Sequence, residues 1–289
     1  MVQETGNRLI AAFQKQTEKI IYFCTAENIS PNLSVHEFRK SFKRMRGLLH
    51  FYDNQPDEFV LECRRKVKEF SFFLSPIRES FVNIQLFDKI IVGNQLVPEK
   101  KIKAAREIMA EKNRLLIDDG FQAENGCEEI NTFIKNINEK IKRFGSGRPA
   151  IVQLEEQVCI SFLQSYNAYI TIGIDAEPSE FHELRKKLKR LWYQLDFLKF
   201  MHPRYFRMKS DQLNKITEQL GEDHDIAVFL REIQSADYNF KEEERLILIN
   251  QVQHQQELNR LKLMPWLKQF FIEPPEIFNQ KMKKIFKIE

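Results

Sequence analysis

One basic, histidine-led helix occurs twice in this chain, and that repetition constrains the fold more than any other feature. Val35-His36-Glu37-Phe38-Arg39-Lys40-Ser41-Phe42-Lys43-Arg44 returns 146 positions later as Phe181-His182-Glu183-Leu184-Arg185-Lys186-Lys187-Leu188-Lys189-Arg190. Across 34–53 and 180–199, eight of twenty positions are identical, against the roughly one or two that ordinary composition supplies. The same offset carries Leu74, Arg78 and Glu79 onto Leu220, His224 and Asp225, and Glu111, Asn113, Arg114 and Leu115 onto Glu257, Asn259, Arg260 and Leu261. A register kept over three separate segments implies two copies of one helical unit.

At about 100° per residue, Arg39, Lys40, Lys43, Arg44, Arg46 and His50 share an arc with His36, while Phe38, Phe42, Met45, Leu48, Leu49 and Tyr52 lie opposite. The second copy sets His182, Arg185, Lys186, Lys189 and Arg190 against Leu184, Leu188, Leu191, Leu195 and Leu198. Solvated faces mix signs in i, i+4 pairs, yet the central eleven residues of each copy hold five Lys or Arg and a single Glu. Stacked like charge costs stability, and a cost repeated at equivalent places points to an anionic ligand.

Ser34 with Glu37 fits a capping box after Pro31, and Ser179 follows Pro178. His36 and His182 are therefore expected in first helical turns, where free N–H groups and the helix dipole favour phosphate. Arg grips two phosphate oxygens together; Lys follows neighbouring phosphates as a mobile point charge.

At these residues the chain resembles the CHAD family, the conserved histidine α-helical domain, in which basic side chains follow a His at three, seven, eight and ten residues. The matching positions are His36, Arg39, Lys43, Arg44 and Arg46, then His182, Arg185, Lys189 and Arg190. Trp192 replaces the last basic residue of the second copy, and the aromatic that follows is Tyr193. Leu220-Gly221-Glu222-Asp223-His224-Asp225 resembles the family's Leu-Gly-x-x-x-Asp turn, of which Leu74-Ser75-Pro76-Ile77-Arg78-Glu79 is a degenerate copy. The resemblance covers nearly the whole chain. It implies an all-α fold of two pseudo-symmetric helical bundles with a basic central cleft, and binding of inorganic polyphosphate. The binding set so implied is His36, Arg39, Lys40, Lys43, Arg44, Arg46, His182, Arg185, Lys186, Lys189, Arg190 and Tyr193, with the offset-paired Arg114 and Arg260 added.

Nine Gly in 289 residues and prolines spaced as helix punctuation agree with an all-α reading. One domain over 1–289 is expected, with repeats 1–145 and 146–289 joined at Gly145-Ser146-Gly147-Arg148-Pro149, a linker composition that also suits a phosphate-cradling turn. Helices are expected over about 4–28, 34–53, 58–74, 77–92, 99–118, 127–143, 150–173, 179–201, 204–220, 223–236, 240–263 and 275–287. Asp223 or Glu222 would cap the helix at 223, and the runs Phe70–Leu74 and Phe270–Ile272 would be core.

Net charge is only +4, so basicity is local rather than general. Cys24, Cys63, Cys127 and Cys159 are scattered without a CxxC pair, which predicts reduced thiols and a cytoplasmic protein; no apolar run approaches the ~20 residues of a membrane span. No HExxH, P-loop or nucleophile elbow is present, and no Glu-x-Glu-x-Lys strand motif of polyphosphate-processing domains. No catalytic residue, metal or cofactor is therefore expected, the rival being phosphate chemistry through His36, His182 or a metal at Glu222–Asp225. The second rival is single-stranded nucleic acid, with Trp192 and Tyr193 stacking on bases. That aromatic pair is not repeated, since Arg46 and Gly47 stand at the equivalent places. A third reading is a module that brings partners to polyphosphate granules.

Overall fold

The computed structural model describes residues 2–54, 58–123, 126–143 and 151–287. Among these it is all-α, without a strand. The first half holds α1 (Val2–Thr25), α2 (Pro31–Leu49), α3 (Glu58–Phe73), α4 (Ser75–Leu86), α5 (Glu99–Ile117) and α6 (Gly126–Arg143). The second holds α7 (Ile151–Ile170), α8 (Pro178–Phe197), α9 (Pro203–Ser235), α10 (Glu242–Phe270) and α11 (Pro275–Lys287). A single 3-10 turn follows α2 (His50–Tyr52) and α8 (Leu198–Phe200). A wide π-type turn prolongs α4 over Phe87–Ile91. The Gly145–Pro149 junction lies outside the described residues.

Apolar periodicity decides what each helix buries. Val35, Phe38, Phe42, Met45 and Leu49 of α2, and Phe181, Leu184, Leu188, Leu191 and Leu195 of α8, recur at three and four residues and are all buried. They join one large core with side chains of α1, α3, α6, α7, α11 and the first half of α9. A second, smaller core gathers Val82, Ile84, Leu86 and Phe87 with Ile102 and Met109 of α5, Ile226 and Phe229 of α9, and Leu248 and Val252 of α10. Each core draws on both halves of the chain. α9, spanning 33 residues, runs from one core to the other. Where an apolar run is continuous, helical geometry turns part of it outward: Phe72 and Ile272 are exposed, while Leu74, Phe270 and Phe271 are buried.

The helix starts differ from those expected. Ser30, not Ser34, caps α2, its side chain accepting from the Leu33 N–H, with Pro31 in the first turn. Ser34 is buried instead and donates to the Phe23 carbonyl at 3.2 Å, tying α2 to α1. α8 is capped by Glu177 in a box with Glu180, whose carboxylate accepts from the Glu177 N–H at 2.9 Å; Ser179 lies inside the helix. Both changes follow from one preference, since Pro fits best at the first helical position and pulls the start upstream. His36 and His182 therefore sit a full turn inside their helices, where the backbone N–H groups are already bonded.

Two further breaks are absent. α9 passes through Leu220-Gly221 without interruption, so Asp223 is no cap. The equivalent place in the first half does break, because Pro76 has no N–H to give and its ring crowds the preceding turn. α10 continues past Pro265 to Phe270. Pro inside a helix costs about 3 kcal/mol, but Leu263, Leu267 and Phe270 are buried beyond or beside it at about 1.5–3 kcal/mol each, so burial wins.

α2 and α8 cross at positions paired by the 146-residue offset. The Phe51 and Phe197 rings lie 5.4 Å apart. Gly47 faces Tyr193, and a Cβ on Gly47 would lie 2.5 Å from the Tyr193 Cβ. The approach is so close that only one of the two residues can be large. We expect Gly47→Ala to destabilise by about 1–3 kcal/mol through overpacking, and to cost markedly less in a Tyr193→Ala background. Urea unfolding of both single variants and the double variant measures this; strictly additive losses would show that the two positions do not meet.

Candidate anion-binding site

Between the two cores lies a cavity of about 720 Å³ walled by α2, α4 with its wide turn, α8 and α9. The apolar arcs of α2 and α8 are held in the large core, so their opposite, basic arcs face this space. Twelve of the fourteen expected residues line it: His36, Arg39, Lys40, Lys43, Arg44 and Arg46 from α2, and His182, Arg185, Lys186, Lys189, Arg190 and Tyr193 from α8. α4 and its turn add Arg78 and Lys89. The walls thus carry eleven Lys or Arg against the four carboxylates of Glu79, Glu218, Glu222 and Asp225, a surplus larger than the net charge of the whole chain.

Arg39 is fixed from behind. Its Nη1 donates to the Ser71 carbonyl and, at 2.9 Å, to the Ser75 hydroxyl, both at the break between α3 and α4. Arg185 is held across the cavity, where its guanidinium lies against α9 at Gly221; a Cβ there would come within 3.3 Å of Nη2. That contact explains the glycine, which otherwise costs a helix interior roughly 1 kcal/mol. Arg190 gives one Nη2 to Asp53 at 2.8 Å and to Gln157 at 3.0 Å, so it braces the wall as well as lining it. Buried Nε atoms of Arg185 and Arg190 have no protein acceptor among the described residues.

Crowding of cations lowers the affinity of several groups for protons. Lys43 is pushed down to about 7, chiefly by burial and then by Arg185 and Arg39, with Asp225 opposing. Lys189 falls to about 8 by burial and Arg185, and its Nζ sits 4.1 Å above the Trp192 ring. Asp225 is the shared counter-ion: burial raises its pKa, while Arg185, Lys43, Arg78 and Arg39 pull it down. The His182 and His224 rings are in tilted contact, with centroids 4.3 Å apart. Burial and the neighbouring cations lower both, His224 to about 3. His36 is lowered by burial and then by Arg78, while Glu37 opposes.

Arg114 and Arg260 stand apart from the cavity. Arg114 is exposed on α5 and pairs with Glu111 and Asp118, each at 2.6 Å. Arg260 is buried, donating to Asp223 and to the Ala176 carbonyl, both at 2.9 Å, with its guanidinium 4.2 Å above the Phe181 ring. Asp223 thus ties α9 to α10 rather than capping a helix, and Arg260 carries the link on to the start of α8. Residues missed as wall members are Arg78, Lys89, His50, His224 and Asp225. Arg78 and His224 were visible as an offset-paired couple; their direction became apparent only with α4 and α9 in place. Lys89 pairs with Glu222 across those two helices. Among the described residues no cluster of three His, Cys, Asp or Glu side chains is arranged to hold a metal, and no helix is long and apolar enough to cross a membrane.

The family model of the CHAD domain matches residues 11–234. The chain belongs to the CHAD domain family. Its structure is similar to that of PptA from Streptomyces chartreusis, with a TM-score of 0.67 at 12% identity, covering 92% of this chain and 98% of that one. It is also similar to the CHAD domain from the plant Ricinus communis, with a TM-score of 0.60 at 15% identity over 97% of this chain and 91% of that one. At such identities the likeness is one of fold. The search of curated protein sequences gives no match. The CHAD family is associated with polyphosphate.

For this CHAD domain the depressed lysines have a thermodynamic consequence. An unfolded chain keeps a proton on Lys43 up to its ordinary 10.5, whereas the fold releases it near 7. Stability therefore rises with pH between those values. We expect the protein to be more stable at pH 9 than at pH 7, and Lys43→Met to raise stability at pH 7 by on the order of 1–2 kcal/mol and flatten that rise. Denaturant melts at both pH values test it; an equal pH response in both proteins would overturn it.

Proposed function

We propose that this protein binds inorganic polyphosphate, without turning it over, in the cavity between its two cores, and that the two halves are copies of one unit, each supplying a basic wall. The observation that carries the reading is the surplus of cations brought to one half-open cavity by α2, α4, α8 and α9. A long phosphate chain satisfies many of them together, and its successive phosphates need no base or sugar recognition. The cytoplasm is the compartment this reading assigns to it, and recruitment to polyphosphate granules follows from the same binding.

The aromatic residues weigh against single-stranded nucleic acid. Tyr193 is buried against Gly47, and one face of Trp192 carries the Lys189 ammonium. Base stacking needs an open ring face. Affinity for long polyphosphate should exceed that for orthophosphate by orders of magnitude and fall steeply with salt, and single-stranded DNA at matched phosphate should bind more weakly. Replacing Arg39 and Lys43 by Ala, or Arg185 and Lys189, should each weaken binding more than about tenfold while the helical circular dichroism is kept. Titrations at several salt concentrations measure all four ligand and variant comparisons. A single small-phosphate pocket would appear as equal affinity for orthophosphate and the long chain.

Binding should also take up protons. In the free protein Lys43 and Lys189 lie near 7 and 8 because of burial first and then the surrounding cations, and a bound polyanion favours their charged forms. Affinity should accordingly fall as pH rises from 7 to 9. The histidines contribute below that window, since their pKa values are lowered from 6.5. Isothermal titration at pH 8 in buffers of different ionisation enthalpy should therefore show uptake that persists in His36→Gln, His182→Gln. Loss of all uptake in that double variant would assign the protons to histidine instead.

A further inference from the structure

Five lysines line the cavity, and four of them have a partner. Lys40 lies 3.7 Å from Glu37, Lys186 pairs with Glu183, Lys89 pairs with Glu222, and Lys189 sits over Trp192. Lys43 has no carboxylate within ion-pair distance among the described residues and no ring contact. The charged groups that act on it are Arg39 on its own helix, Arg185 and Lys189 on α8, and Asp225 on α9. Asp225 is shared with three arginines. An amine in this setting, on the wall of the cavity, is held beside the Arg39 and Arg185 guanidinium groups, with the shared Asp225 alone opposing them.

We propose that Lys43 is a modification site that takes an acyl group from acyl phosphates, the arginines of the cavity wall seating the phosphate end. The Nζ lone pair attacks the acyl carbon and a C–N bond forms. The bond from that carbon to the phosphate oxygen breaks, its electron pair leaves with orthophosphate, and the nitrogen's proton passes to the released phosphate or to water. The product is a neutral amide. Nucleophilic lysines are activated in this way, by burial and by an adjacent cation. With its pKa near 7, most of Lys43 is free amine at pH 7.5, against about one thousandth of an ordinary lysine. Lower basicity returns part of that advantage in intrinsic reactivity.

The acylation stands on the cavity alone. Its effect, removal of one cation from the wall and so weaker polyphosphate binding, rests on the function proposed above. The full chain is incubated with acetyl phosphate at pH 7.5, and acetylation is followed lysine by lysine by mass spectrometry. Lys43 should react at least about tenfold faster than the median exposed lysine, orthophosphate should slow it, and p-nitrophenyl acetate, which lacks the phosphate, should favour it less. A Lys43 rate at or below that median, or equal site preference with both acetyl donors, overturns the proposal. Long-chain polyphosphate should protect Lys43, and acetylated protein should bind polyphosphate severalfold more weakly, an effect absent in Lys43→Arg. Fast acetylation without protection would leave the modification site standing and remove the polyphosphate reading instead.

Discussion

The arrangement depends on the close crossing of α2 and α8, where Gly47 lets the backbone of one helix receive the Tyr193 ring of the other. A helix has one apolar arc, and burying it dictates where the opposite arc points. With α2 and α8 both packed into the large core, a crossing this tight sends their two basic arcs into the same space. Were the helices farther apart, the same sequences would offer two separate basic surfaces. The Phe51–Phe197 contact, one turn along, fixes the pair at a second point.

Convergence has an electrostatic cost, which the protein limits in specific ways. Asp225 answers four cations from three helices. Arg39 and Arg190 are occupied partly by protein acceptors, and Lys189 by an aromatic face. Lys43 has only its share of Asp225 among the described residues, and the fold lowers its proton affinity. A site of this kind trades stability for readiness to bind: each unbalanced cation destabilises the free protein and favours an anion that neutralises several together.

The two basic copies, their spacing and the helical class are written in residue types that recur at three and four positions, and periodicity of that kind survives any tertiary context. Twelve wall residues were legible for this reason. Arg114 and Arg260 fall outside the cavity because the offset matches residue types, not environments: one is a solvent-exposed ion pair on α5, the other a buried brace over Phe181. The start of α2 lies a turn before Ser34 because serine suits both a cap and a buried contact, and only the neighbouring α1 carbonyl of Phe23 decides between them.

What the chain determines by itself is the pair of amphipathic basic helices, since 3.6-residue periodicity acts within a single element. What only the tertiary structure decides is that the two charged arcs share one cavity, that α4 and α9 supply its remaining walls, and that Lys43 has no ion-pair partner there among the described residues. Those facts rest on contacts between separate helices, such as Gly47 with Tyr193 and Gly221 with Arg185, and the distance between helices is not encoded in the pattern of either.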